Sequence, residues 1–363
     1  MDSKRLLERF FRYVSCPSES GKERSFCELI EDELKALGLT VRRDEVGEKC
    51  GSDGWNVYAY LPGEGEPILF SCHIDTVSPG VGIEPVVKDG VIYSAGDTIL
   101  GADDKAGIAA VLEAIETICE QNLAHRPIEI LFSICEELGL LGAKYADYSY
   151  IKSKQAVVLD HAEIGSFVNN APANMHLHIE ITGKSSHAGV APDKGIHALK
   201  AATAAIANIP CGFADDSTVM NVANLLAPGK TNVVPDKAAF DMEIRSFKEE
   251  ILQSHIKNTE TAVKAACEAI GATYTISSER HSDVLYVSEG SPLISRLKEV
   301  YTELGVNTTV ERTYGGCDAT WLSYNGLDAV NIGIGVCDIH STDEHIAVAD
   351  IEITAKAILA MMI

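Results

Sequence analysis

The chain has 363 residues, 46% of them hydrophobic, enough for two domains and a sizeable core. Acidic residues outnumber basic ones 53 to 30, for a formal net charge of −23. That balance argues against a nucleic-acid or anionic-membrane surface and suits bound cations, substrates with a positive end, or plain solubility.

The opening stretch "MDSKRLLERFFRYVS" lacks the long apolar centre of a signal peptide, and nothing approaches a 20-residue apolar span. Residues 3–38 read as a pair of amphipathic helices. "NVYAYLP" and "PILFSCHIDTV" read as strands, "GADDKAGIAAVLEAIETICEQN" as a helix, and "PIEILFSICEE" and "AVVLD" as further strands. Strand–helix alternation with nearly unbroken apolar strands predicts a mostly parallel sheet covered by helices. The texture changes at about residue 172. "MHLHIEITGKSSHA", "TVMNVANLLAPG", "TNVVPDKAAFDMEIRSF" and "TYTISSE" alternate like half-exposed strands around helices in "DKGIHALKAATAAIANIP" and 248–270. That order is a β-α-β-β-α-β unit. The α/β texture then resumes with "SPLISRLKEVYTELG", "TTVERTYGG", "AVNIGIG" and a last helix over 349–361. The expected architecture is an α/β domain, residues 1–171 and 284–363, interrupted by an α+β domain over 172–283. The ten cysteines form no Cys-x-x-Cys pair and several lie in apolar runs, which suits reduced thiols of a cytoplasmic protein rather than zinc ligands.

The polar residues collect at strand ends and one helix start. His73 and Asp75 end an apolar strand; at i and i+2 they share a face, as a buried structural pair or as a metal-binding histidine with the carboxylate that orients it. "GADDKAG" opens a helix with two aspartates, where capping needs only one. "CEELG" and Asp160 each follow an apolar strand, the place where parallel sheets build sites, and "IGIGVCDIHSTDEH" delivers His340. His73, Asp103, Glu136, Glu137, Asp160 and His340 offer carboxylate and imidazole donors without sulfur, which suits Zn²⁺, Co²⁺ or Mn²⁺. They are too many for one tetrahedral ion and the right number for two ions sharing a carboxylate.

"HIDTV", "GADDKAG", "EELG", Asp160, "GKSSHAGVAPDKG", "YGGCDATW" and "HSTDEH" follow in order along nearly the whole chain. Together they resemble the co-catalytic zinc hydrolase family of aminoacylases, carboxypeptidase G and tripeptidase T, with "LGADDKAGIA" most similar to the peptidase T branch. The resemblance implies that His73 and Asp160 hold one ion and Glu137 and His340 the other. Asp103 would bridge them, with a cis bond to Asp104. Glu136 would be the general base and Asp75 would orient His73. In the inserted domain it implies His187 as oxyanion donor and Asn232 and Arg245 as substrate-holding residues. Cys317 and Thr320 depart from the family's commoner serine and asparagine. The expected function is a cytoplasmic, homodimeric di-zinc aminopeptidase acting on short peptides, dimerised through the inserted domain. Cobalt or manganese are the other metals the donors suit. An N-acyl amino acid amidohydrolase, a carboxypeptidase and a non-catalytic peptide- or metal-binding relative are the alternatives.

Overall fold

The computed structural model describes all 363 residues. The chain divides into two compact units, Met1–Ala171 with Leu285–Ile363, and Pro172–Val284.

The first unit is built on one large sheet. Its strands run in the order Thr40–Arg43, Val57–Leu61, Ile128–Ser133, Ile68–His73, Gln155–His161, Asp328–Gly333, Ser166–Ala171, Leu285–Tyr286, and Thr309–Arg312 adds onto Ser166–Ala171. The four central strands are mutually parallel, and antiparallel pairs flank them. Both faces of the centre are buried, which is why its sequence is almost continuously apolar. Ile68, Phe70 and Cys72 point into the larger core, packed with the helices Ser3–Ser15, Arg24–Ala36, Ala102–Gln121 and Val348–Met362. Leu69, Leu131 and Val158 point the other way, onto Ala319 and Leu322 of the short helix Ala319–Tyr324. Phe70 is fully buried, so truncating it to alanine removes about 3–5 kcal/mol. A small four-stranded sheet, Val336–Cys337, His345–Ala347, Val91–Ser94 and Pro85–Lys88, completes the unit. No helix of the chain is long and apolar enough to cross a membrane. All ten cysteines are free thiols, six of them buried.

The second unit is an antiparallel sheet in the order Gly212–Asp215, Thr218–Leu226, Lys237–Ser246, Ala173–Thr182, Thr273–Ser282. Residues 173–182 alternate between buried and exposed, and the buried set packs with the helices Ala198–Ile206 and Glu249–Glu268. Val284 packs against the same core. There are five strands where the sequence suggests four. The extra edge strand Gly212–Asp215 is four residues long and is closed by a tight turn, in which the Asp215 carboxylate accepts from the Ser217 N–H at 2.8 Å. "TNVVPDKAAFDMEIRSF" is also less regular than its apolar alternation implies, since the strand begins only at Lys237.

Candidate metal centre

Three parallel strands bring their C-terminal ends to one level. Ser71 pairs with Val158 and His73 with Ser133, so His73, Asp160 and the segment after Ser133 emerge side by side. The pleat puts His73 on the face of Leu69 and Asp160 on the face of Val158, the same side of the sheet.

Glu136 and Glu137 sit on a turn whose N–H groups are held by side chains. Asn56 accepts from the Ile134 N–H at 3.0 Å, Glu23 from the Cys135 N–H at 3.3 Å, and the two Asp75 oxygens from the Glu136 and Glu137 N–H groups at 2.9 and 3.2 Å. Asn56, Glu23 and Asp75 are each 0% exposed. The strand stops at Ser133, so these four amides have left its ladder, and buried donors without partners would be costly. Cys135, at the bend, takes a left-handed φ of 51°.

Asp75 does more than the alternation suggests. His73 Nδ1 bonds the main-chain carbonyl of Asp75 at 2.8 Å, while the Asp75 carboxylate is 3.5 Å away. The strand ends at His73, so the pleat no longer governs residue 75. The carbonyl fixes the imidazole and leaves Nε2 facing the cluster; the carboxylate fixes the glutamates.

Asp103 enters from the start of the helix Ala102–Gln121, through a cis peptide bond to Asp104. Its Oδ1 lies 2.9 Å from His73 Nε2 and its Oδ2 3.5 Å from His340 Nε2. Asp160 Oδ1 is 3.9 Å from His73 Nε2, and Glu137 Oε1 is 2.7 Å from His340 Nε2. Three sets of potential ligand atoms each fall within 4.8 Å of one another: His73, Asp103 and Asp160; Asp103, Glu137 and His340; and His73, Glu136 and Glu137. Asp160 is held in place by Asn331, whose amide accepts from the Asp160 N–H at 2.8 Å and donates to its carbonyl at 2.7 Å.

Burial, and then Asp160, pushes the Glu136 carboxyl well above its ordinary range. Burial, and then Asp103, does the same to Asp160. Burial opposes the charge on Asp103, yet hydrogen bonds from His340 and His73 outweigh it and hold that carboxyl low. His340 is raised to about 10 by its hydrogen bonds to Asp103 and Glu137. The site is a crowd of buried carboxylates that stay charged together only if cations join them. The donors are nitrogen and oxygen only, which fits hard or borderline divalent ions, and Asp103 presents one oxygen to each histidine.

The remaining expected residues lie in the second unit. His187 pairs with Val233 in an isolated bridge, and the Ala188 N–H donates to the Asn232 carbonyl at 2.9 Å, so His187 and Asn232 are neighbours. His187 Nδ1 accepts from the Gly189 and Val190 N–H groups, each at 3.2 Å, which leaves Nε2 to carry the proton. Arg245 is paired with Glu243 through Nε at 2.7 Å and Nη2 at 3.0 Å. Cys317 and Thr320 are buried in the first unit, the Thr320 hydroxyl donating to the Cys317 carbonyl at 2.9 Å.

Sequence reasoning missed five supporting side chains, Asn331 beside Asp160 among them. Glu23 and Asn56 carry no local signal. Asp318, inside "YGGCDATW", accepts from the Ser133 hydroxyl, and burial raises it to about 6. Glu344 lies inside "HSTDEH", a phrase that draws attention only to its first histidine.

The profile of the peptidase family M20/M25/M40 matches residues 69–363. The uncharacterized protein YqjE of Bacillus subtilis (strain 168) is 32% identical, over 100% of this chain and 98% of its own. Aminopeptidase PepT of Bacillus cereus ATCC 10987 superposes with a TM-score of 0.95 at 32% identity, covering 100% of this chain and 98% of the other. A tripeptidase of Staphylococcus aureus subsp. aureus mu50 gives a TM-score of 0.94 at 29% identity, again over 100% and 98% of the two chains. With its carboxylate–histidine cluster at the strand ends, this chain belongs to peptidase family M20/M25/M40, on the peptidase T branch.

Proposed function

We propose that the protein is a two-metal aminopeptidase that removes the N-terminal residue of short peptides, tripeptides first among them. The observation that carries the reading is Asp103, whose two oxygens face two different histidines at 2.9 and 3.5 Å. His73 and Asp160 would hold one divalent ion, Glu137 and His340 the other, and Asp103 would join both. Zinc is the metal the donor set suits best, with cobalt or manganese as alternatives. Ions bound there supply Lewis acidity and a water acidic enough to attack an amide at neutral pH.

The protein's own groups do the rest. Glu136, beside His73 and Glu137, is the base: it takes the proton from the attacking water and passes it to the leaving amine. Its burial keeps the carboxyl avid for that proton. His187, with its proton on Nε2, would donate to the carbonyl oxygen as negative charge builds there. Arg245 would grip the peptide carboxylate, and Asn232, next to His187, would hold the substrate main chain.

A homodimer formed through the second unit is part of the proposal. Its edge strand Gly212–Asp215 pairs only with Thr218–Met220, which leaves one side of Asn221–Leu226 open, with Leu226 65% exposed. A cytoplasmic location is supported by ten free thiols.

The test is a panel of free tripeptides, their N-acetylated forms and dipeptides, assayed with and without added Zn²⁺, Co²⁺ or Mn²⁺. Free tripeptides should be cleaved at the first bond and acetylation should abolish turnover. Preference for the acetylated form would make the protein a deacylase.

A further inference from the structure

Glu344 follows His340 by four residues and is 2% exposed. Its carboxylate reaches the start of the helix that carries Asp103. One oxygen accepts from the N–H groups of Leu100 and Gly101 at 2.9 and 2.8 Å, and the other from the Asp103 N–H at 3.1 Å. The helix needs this. Asp103 and Asp104 depart from helical φ/ψ, so these amides lie ahead of the regular helix without its internal partners, and Gly101, at a φ of 69°, has no side chain to satisfy them. A carboxylate 241 residues away from Asp103 in sequence satisfies them instead and fixes the segment that presents Asp103.

Glu344 also anchors His340. The segment between them bonds mainly to itself: the Ser341 hydroxyl donates to the Asp338 carbonyl at 2.7 Å, and the Glu344 N–H donates to the Ser341 carbonyl at 3.2 Å. His340 sits in the left-handed region at a φ of 62°, an arrangement that needs its surroundings to hold it. So one buried side chain ties the turn that presents His340 to the backbone that presents Asp103. Those are the two groups whose nearest atoms stand 3.5 Å apart.

The geometry points to Glu344 as a positioning residue of the metal centre: it sets the separation of Asp103 and His340, and so the affinity for the ion they would share. This rests on the two-metal reading above. Glutamine at 344 keeps the size but has one acceptor, so its amide nitrogen must meet either the Asp103 N–H or the Leu100–Gly101 pair. Aspartate keeps both oxygens one methylene short.

The test uses full-length, metal-free wild type, Glu344→Gln and Glu344→Asp. A fourth protein, Asp2→Ala, serves as control, because Asp2 caps the helix Ser3–Ser15 by accepting from Lys4 and Arg5 amides. Zn²⁺ affinity is read by competition with a chromophoric chelator, Co²⁺ coordination by its visible absorption, and stability by thermal unfolding. Glu344→Gln should bind one of two ions about 10–100-fold more weakly, with an altered Co²⁺ spectrum. Glu344→Asp should recover part of that loss, and Asp2→Ala should change stability alone. Wild-type affinity and spectrum in both Glu344 variants, with or without lower stability, would make Glu344 an ordinary cap and overturn the proposal. A wild type that takes up no second ion would overturn the two-metal reading as well.

Discussion

Replacing Asp75 by asparagine should loosen the turn that carries Glu136 and Glu137. The wild-type carboxylate accepts three bonds: Glu136 N–H at 2.9 Å on Oδ1, and Glu137 N–H at 3.2 Å and the Ser20 hydroxyl at 2.7 Å on Oδ2. Asparagine retains one acceptor. If it faces Glu137 and Ser20, the Glu136 N–H is left buried against an amide NH₂. Losing one bond to a charged group removes about 1.5–3 kcal/mol. The surviving bonds fall from charged to neutral strength, which brings the total to roughly 2–4 kcal/mol. Alanine strands both amides, while Ser20 can still reach the Thr76 carbonyl at 3.3 Å. Two lost bonds to a charged acceptor come to roughly 3–6 kcal/mol. The measurement is urea unfolding of metal-free protein followed by tryptophan fluorescence; Trp55 and Trp321 both lie in the first unit and report on it. Turnover of the metal-loaded asparagine variant should also fall by about 10–100-fold. An asparagine variant within about 0.5 kcal/mol of wild type would refute the claim that Asp75 holds the turn, because that is the ordinary range of an inconsequential surface change.

Glu136→Gln should keep both metals and lose about 10²–10⁴-fold in turnover, whereas Glu137→Gln should weaken one metal; metal analysis beside kinetics would expose a reversal of roles. Metal-free protein should lose stability as pH rises. Asp318, raised from 3.8 to about 6 by burial, and His340, raised from 6.5 to about 10 by hydrogen bonds to Asp103 and Glu137, both bind protons more tightly folded than unfolded. Their contribution is complete at low pH and is lost through those two windows. Allowing for solvent at half-exposed His340, the loss from pH 5 to 8, below the range where buried Lys105 begins to act the other way, is roughly 1–3 kcal/mol. A melting temperature that rises over that range would contradict it, and bound cations should flatten the dependence. Glu136→Gln and His187→Ala, unfolded and refolded together, should regain roughly a quarter of wild-type activity if His187 serves the partner subunit; no recovery from a verified mixed dimer would place it in its own chain.

The strands that deliver His73, Glu136, Glu137 and Asp160 were legible because buried parallel strands leave a long apolar signature, and polar residues at its end stand out. Asp103 was legible because two adjacent aspartates exceed what a helix cap requires. Their supports were not. Glu23, Asn56 and Glu344 act through main-chain amides 112, 78 and 241 residues away, and a carboxylate that binds backbone leaves no pattern in the partner's side chains. The bonds from the Asp75 carboxylate to the Glu136 and Glu137 amides were not legible, because the strand ends at His73 and its alternation says nothing of residue 75. The small sheet of the first unit escaped notice because its strands are two to four residues long, too short for periodicity to register.

The central claim is that Asp103 stands between two divalent ions, and titration of metal-free protein with Co²⁺, followed by visible absorption, tests it most directly. Wild type should saturate at two equivalents per chain, and Asp103→Ala, which takes away the oxygen facing each histidine, should weaken both steps. A single equivalent in wild type, or two unchanged equivalents in Asp103→Ala, would contradict the account.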